Sequence, residues 1–232
     1  MKAQDFNKLE KHFDASDEEL LRSTDEGVMD EHLSHYASRL TEFFLINKVN
    51  RVLDFGCGDG KILQAFAKKY PDVSFVGADL SEKNISLARD KYSSSNISYH
   101  RVLGGVEDVS HLGSFDLIFS FSVVQYFDVQ SMKILSQQLK SLLNPQGALV
   151  HMSIPDSKHY FRSHVSDSAS FISFFKSSLR LFLTLFQRDK SFGKNGFWWS
   201  RNLLITLHQE NYKTVRCLSS DSWYRFDLIC ID

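Results

Sequence analysis

Proline is scarce in this chain, with three residues in 232, and glycine is limited to 11. That scarcity excludes collagen-like and low-complexity chains and leaves few breaks in regular structure. Three cysteines without a spacing pattern exclude a disulfide scaffold. Cys57, Cys217 and Cys230 therefore read as reduced thiols of an intracellular, cytoplasmic protein. A formal net charge of -1 lacks the basic excess of a dedicated nucleic-acid binder. No run reaches the ~18 apolar residues that span a bilayer. The nearest approach, Phe171 to Phe186, is interrupted by Lys176 and Arg180. The opening stretch MKAQDFNKLEKHF has no apolar core of a signal peptide. Phenylalanine, by contrast, is abundant: 20 residues, eight of them within 161–197.

A chain of this length that is 43% hydrophobic builds one sizeable core and is too short for two large domains. Short β-rich runs alternate with helix-period segments, which predicts a parallel sheet covered by helices. The predicted strands are 51–55, 73–79, 97–103, 115–121, 148–154, 214–219 and 225–231. The predicted helices are 33–46, 61–70, 82–92, 130–143 and 199–210. Ser81 and Asp128 read as N-caps, and Asn144-Pro145-Gln146-Gly147 as a turn into the fifth strand. Only Ser220–Tyr224 joins the last two strands, too short for a helical crossover, so they form an antiparallel hairpin. The expected fold is thus α/β, Rossmann-like, a seven-stranded mostly parallel sheet with an antiparallel terminal hairpin and helices on both faces. Residues 1–50 form a helical arm before the domain at 51–232. Within that domain, 155–200 is an insertion too long for a plain loop.

The first strand runs into Asp54-Phe55-Gly56-Cys57-Gly58-Asp59-Gly60, and a helix follows. A glycine-rich turn lets backbone approach a ligand closely, and a helix start offers free N–H groups. The second strand ends in Asp79, an acid placed to accept hydrogen bonds from a ribose diol. These features define a nucleoside site at the carboxyl edge of the sheet. The third glycine is one residue early for a dinucleotide fingerprint, with Lys61 in its place. Asp54 would sit poorly beside a pyrophosphate and suits a ligand with a cationic amine or sulfonium.

This pattern resembles the class I S-adenosylmethionine-dependent methyltransferases from about Arg51 to Asp232. VLDFGCGDG is similar to the family's first motif, VGADLS to its second, FDLIFSFSVVQYF to its fourth-strand motif and LLNPQGALVHMSIP to its fifth. The resemblance implies S-adenosylmethionine as cofactor. Asp54, Gly56, Cys57 and Gly58 would line its methionine part, Asp79 its ribose and Leu80 its adenine. Val106 and Glu107 stand where the family meets the adenine amine, although Gly105 departs from its usual acid. Val123 would pass under the sulfonium or serve as plain core. The implied activity is methyl transfer to O or N of a small molecule, such as a sugar or lipid-linked metabolite. A non-catalytic cofactor-binding module, or an enzyme acting on tRNA or protein, stays open as an alternative. No N-P-P-[YFW] sequence follows the fourth strand, which lowers the reading of a base or glutamine acceptor.

His151, His159 and Tyr126 are the catalytic candidates, with Asp156, Tyr160 and His164 nearby. His151 lies inside a strand buried on both faces, so a structural role competes there. No metal set is expected, because the histidines and acids lack ligand spacing. Tyr160, Trp198, Trp199 and Tyr224 are the substrate candidates; each aromatic has core packing as its rival role. The Phe-rich stripe of the insertion reads as a core helix, a lid over the acceptor, or a basic surface helix for a membrane or a homodimer. The partners expected are a small-molecule acceptor and no nucleic acid, in a monomer or homodimer with at most peripheral membrane contact. Tyr36 and Arg39 are the arm residues chosen to close over the cofactor, with a surface salt bridge as the competing role for Arg39.

Overall fold

A computed structural model of the chain describes residues 36–44, 48–102, 110–160, 162 and 196–232. Val106, Glu107, His164, the Phe-rich stripe of 171–186 and the acidic start of the arm lie outside the described residues. Seven strands form one sheet: β1 Arg51–Phe55, β2 Ser74–Asp79, β3 Ile97–Arg101, β4 Phe115–Phe121, β5 Leu143–Pro155, β6 Thr214–Ser219 and β7 Arg225–Ile231. Their order is β3-β2-β1-β4-β5-β7-β6. The first five are parallel, and β7 runs antiparallel to both β5 and β6. This is the Rossmann-like arrangement with a terminal hairpin. The strand order reverses between β1 and β4, and a crevice opens outside their carboxyl ends at such a switch point.

Five described helices cover the two faces: α1 at 36–44, α2 Lys61–Lys69, α3 Glu82–Lys91, α4 Val129–Ser141 and α5 Arg201–Gln209. Ser81 accepts from the Asn84 N–H at 3.1 Å and Asp128 from the Ser131 N–H at 2.8 Å, so both predicted caps form. Side chains alternate along each strand, and the core divides accordingly. Leu53, Ile118 and Leu149 pack with Met132 and Leu135 of α4 and Leu204 of α5. Val52, Leu117, Phe119 and Val150 pack on the other face with Tyr36 and Leu40 of α1, Leu63 of α2 and Ile85 of α3. Tyr36 and Leu40 are one helical turn apart, which puts both on the sheet side of α1. Phe44 then stacks on Tyr70, with centroids 4.2 Å apart.

Several predicted boundaries shift, most by a residue or two, and two of the shifts have a clear physical cause. Asn144–Gly147 is not a turn before β5 but an irregular stretch inside it. Pairing with β4 breaks between Leu143 and Ala148, and Gln146 adopts a left-handed φ of 68°. The last helix begins at Arg201 rather than Trp199, because Trp199 is held in extended backbone. Its N–H donates to the Pro155 carbonyl at 2.8 Å, and its own carbonyl accepts from the Ser157 N–H at 2.9 Å.

Candidate active site

The loop after β1 owes its shape to glycine. Gly56, Gly58 and Gly60 have φ of 84°, 54° and 80°, a left-handed region that costs other residues energy. A Cβ on Gly56 would collide with Val123 Cγ2, so Val123 of the chain after β4 presses directly on the loop. A Cβ on Gly58 would meet no heavy atom within 4 Å, so this glycine faces open space. The Gly56 N–H donates to the Ala78 carbonyl at 2.7 Å, tying the loop to β2. Asp79 completes the tie: it accepts from the Gly58 N–H at 2.8 Å and from the Ser81 N–H at 2.9 Å. Burial pushes the Asp79 carboxyl up, and the hydrogen bonds from the Ser81 and Gly58 N–H groups oppose that shift.

Asp54 lies below this loop, fully buried at the end of β1, and its Oδ1 has no hydrogen-bond partner. Burial first, and the neighbouring Asp79 charge second, push its carboxyl well above the usual range. A buried carboxylate without a partner is costly unless a cation or donor arrives. Cys57 is buried beside it, and burial raises its thiol pKa well above normal, so it remains an unreactive thiol. Leu80 is half-buried after β2. An orphaned acid, an open left-handed glycine and an anchored second acid fit the amine and diol of S-adenosylmethionine. Tyr99 was not evident from sequence, since it reaches the loop from β3. Its ring lies 2.8 Å from where a Cβ of Gly60 would stand, and its buried hydroxyl has no hydrogen-bond partner.

The remaining candidates divide by burial. Tyr126 is half-buried at the end of the 3-10 turn Val124–Tyr126, against the core. His159 is half-buried, with its ring 5.4 Å from Trp223. His151 is fully buried; Ser120 Oγ and His151 Nδ1 share a 2.7 Å hydrogen bond, and its ring lies 5.4 Å from that of His208 under α5. Burial lowers its pKa well below the usual value, so it is a neutral core histidine and not a proton-transfer group at the edge. Trp199 is likewise core: it is fully buried, and its indole N–H donates to the Val124 carbonyl at 3.1 Å. It offers no face to a substrate. Trp198 points the other way, because side chains alternate in extended backbone. Its ring lies 5.2 Å from Tyr160 and 5.9 Å from Tyr224. Asp156 is engaged by Arg201 at 2.7 Å.

Tyr36 and Arg39, chosen to close over the cofactor, contact residues near the terminal hairpin. Tyr36 donates to Asp221 at 2.9 Å and packs on Phe121. Arg39 donates to the Ser219 carbonyl at 2.8 Å and forms a 3.4 Å ion pair with the fully buried Asp227. Arg225 opens β7 between these groups and the aromatic cluster, and sequence reasoning missed it because its partners are remote in the chain. Among the described residues, no cluster of three or more metal-ligating side chains forms, and no helix is long and apolar enough to cross a membrane.

Residues 52–147 match the family model of a methyltransferase domain. The chain is 33% identical over 110 residues to a malonyl-[acyl-carrier protein] O-methyltransferase of Priestia megaterium, covering 47% of this chain and 38% of that one. It is 39% identical over 79 residues to a ubiquinone biosynthesis O-methyltransferase of Sinorhizobium fredii, covering 33% and 30%. The matched region thus spans under two fifths of either relative. In fold, the chain is similar to the magnesium protoporphyrin IX methyltransferase of Synechocystis, crystallised with S-adenosylhomocysteine. That match has a TM-score of 0.66 at 14% identity, over 98% of this chain and 99% of that one.

Proposed function

We propose that this chain, which carries a class I S-adenosylmethionine-dependent methyltransferase domain, moves a methyl group to an oxygen or nitrogen of a small molecule. The observation that carries the reading is Asp54: a buried, unpartnered carboxylate beneath an open left-handed glycine loop that Asp79 anchors. S-adenosylmethionine, when bound, supplies a methyl group on a positively charged sulfur; transfer to the acceptor leaves S-adenosylhomocysteine, and the acceptor's proton is released.

The chain's own part is to bind, orient and exclude water. Asp54 would hold the cofactor's ammonium, with the backbone of Gly56, Cys57 and Gly58 alongside. Asp79 would accept from the ribose hydroxyls, and Leu80 would pack on the adenine. Val123 floors the loop from the β4 side. On the acceptor side, Tyr160, Trp198 and Tyr224 form an aromatic wall near the ends of β5 and β7. His159 and Tyr126 are the residues proposed to handle a proton where the acceptor is a hydroxyl. The test is release of S-adenosylhomocysteine on incubating the chain with S-adenosylmethionine and a panel of phenols, amines and sugars. Turnover with one class and not the others supports the reading. Tight cofactor binding with no turnover on any acceptor favours a binding module.

A further inference from the structure

Arg225 is a half-buried cation whose hydrogen-bond partners among the described residues are all neutral. Among the described residues its Nη1 atom makes the guanidinium's hydrogen bonds: to the Ser153 carbonyl at 2.6 Å, Gln125 Oε1 at 3.2 Å, Ser153 Oγ at 3.3 Å and Ser122 Oγ at 3.4 Å. Among the described residues no carboxylate pairs with it: the nearby acid on its own strand, Asp227, pairs with Arg39. The guanidinium lies over the Tyr224 ring at 5.2 Å, and Tyr224 in turn faces Trp198. The other two nitrogens, Nε and Nη2, form the fork edge that matches a carboxylate or phosphate in two parallel bonds.

The position of this edge is fixed by strained backbone. Ser122 and Ser153 follow β4 and lie near the end of β5, side by side, and both adopt left-handed φ, 54° and 60°. Non-glycine residues in that region cost energy and cluster at functional sites. The same turn that gives Ser122 and Gln125 to Arg225 gives Val123 to Gly56. Arg225 therefore sits on the acceptor side of a short turn whose other side floors the glycine loop.

We infer that Arg225 and the aromatic wall of Tyr224 and Trp198 bind an acceptor that carries an oxyanion, a carboxylate or phosphate, next to a flat ring. The inference rests on the methyltransferase reading and narrows it to a substrate class. The anion is a recognition handle and not the methylated atom, because a carboxylate whose charge is met by a guanidinium is a weakened nucleophile. The partly exposed aromatic rings take the apolar part of the acceptor.

The experiment titrates the chain, loaded with S-adenosylhomocysteine, with 4-hydroxybenzoate, phenyl phosphate and methyl 4-hydroxybenzoate. Wild type is expected to bind one of the two anions about tenfold or more tighter than the ester. Whichever anion binds better identifies the source. Arg225→Gln should bring the anions level with the ester while S-adenosylhomocysteine affinity stays unchanged. Arg225→Lys, which keeps the charge and loses the fork, should retain part of the preference and serves if the glutamine variant does not fold. Equal binding of anions and ester by wild type, or a preference that survives Arg225→Gln, overturns the inference. Failure to bind S-adenosylhomocysteine at all overturns the parent reading instead.

Discussion

Asp54 is the residue where stability and the proposed cofactor role oppose each other. Its buried carboxyl lacks a partner at Oδ1 and is held well above its usual pKa by burial and by Asp79. For an acid with a raised folded pKa, folding loses stability as pH rises past the unfolded value, so the ionised group is a burden at neutral pH. Asp54→Asn should therefore stabilise the cofactor-free chain at pH 7 by about 1 kcal/mol or more, read by urea denaturation. The same change should weaken S-adenosylhomocysteine binding. A variant that binds as tightly as wild type would remove Asp54 from the cofactor site. The residue-level signal was local here: a carboxylate two positions before a glycine turn is visible in a string. Arg225 and Tyr99 were not visible, because each acts across the sheet on backbone that only the fold brings near.

At the scale of elements, the contact between β5 and α5 sets a pH response. His151 and His208 face each other at 5.4 Å, both fully buried. Burial lowers the pKa of His208 to about 4, against the opposing hydrogen bond that its Nδ1–H donates to the Leu204 carbonyl at 2.9 Å. For histidines with lowered folded pKa, the unfolded chain takes up protons first as pH falls. The His208 contribution to stability is intact above about pH 6.5 and is lost as pH falls toward about 4, and that of His151 is lost in the same direction. The His208 part is on the order of 3 kcal/mol. Denaturation midpoints measured from pH 7 to pH 4.5 should fall, and His208→Leu should flatten that fall. An unchanged slope would contradict the buried neutral pair. Element placement was largely legible, since Ser81 and Asp128 cap through local hydrogen bonds and strand alternation is a local pattern. The boundary at Trp199 was not legible, because tertiary bonds to Pro155 and Ser157 override its helical context.

For the whole molecule, topology and site are one argument. The order β3-β2-β1-β4-β5-β7-β6 places the reversal between β1 and β4, and the glycine loop meets Val123 there. The seven strands and their hairpin could be read from alternating runs and from the five-residue link between β6 and β7. The proposed acceptor side resisted reading, because its residues come from β4, β5, β7 and the 196–200 segment, whose aromatic residues divide between core and surface only in three dimensions. Helix α1 shows the same limit: Tyr36 and Arg39 dock on Asp221 and Asp227 near the terminal hairpin, contacts some 185 positions apart that no local pattern announces.

The central claim is that this loop and Asp79 hold S-adenosylmethionine. Titration calorimetry with S-adenosylhomocysteine tests it most directly, on wild type and on Asp79→Ala. Wild type should show one site per chain, and the variant an affinity loss of about 1–3 kcal/mol from lost ribose acceptors and a loosened Gly58 tie. No binding by wild type, or equal affinity in the two proteins, would contradict it.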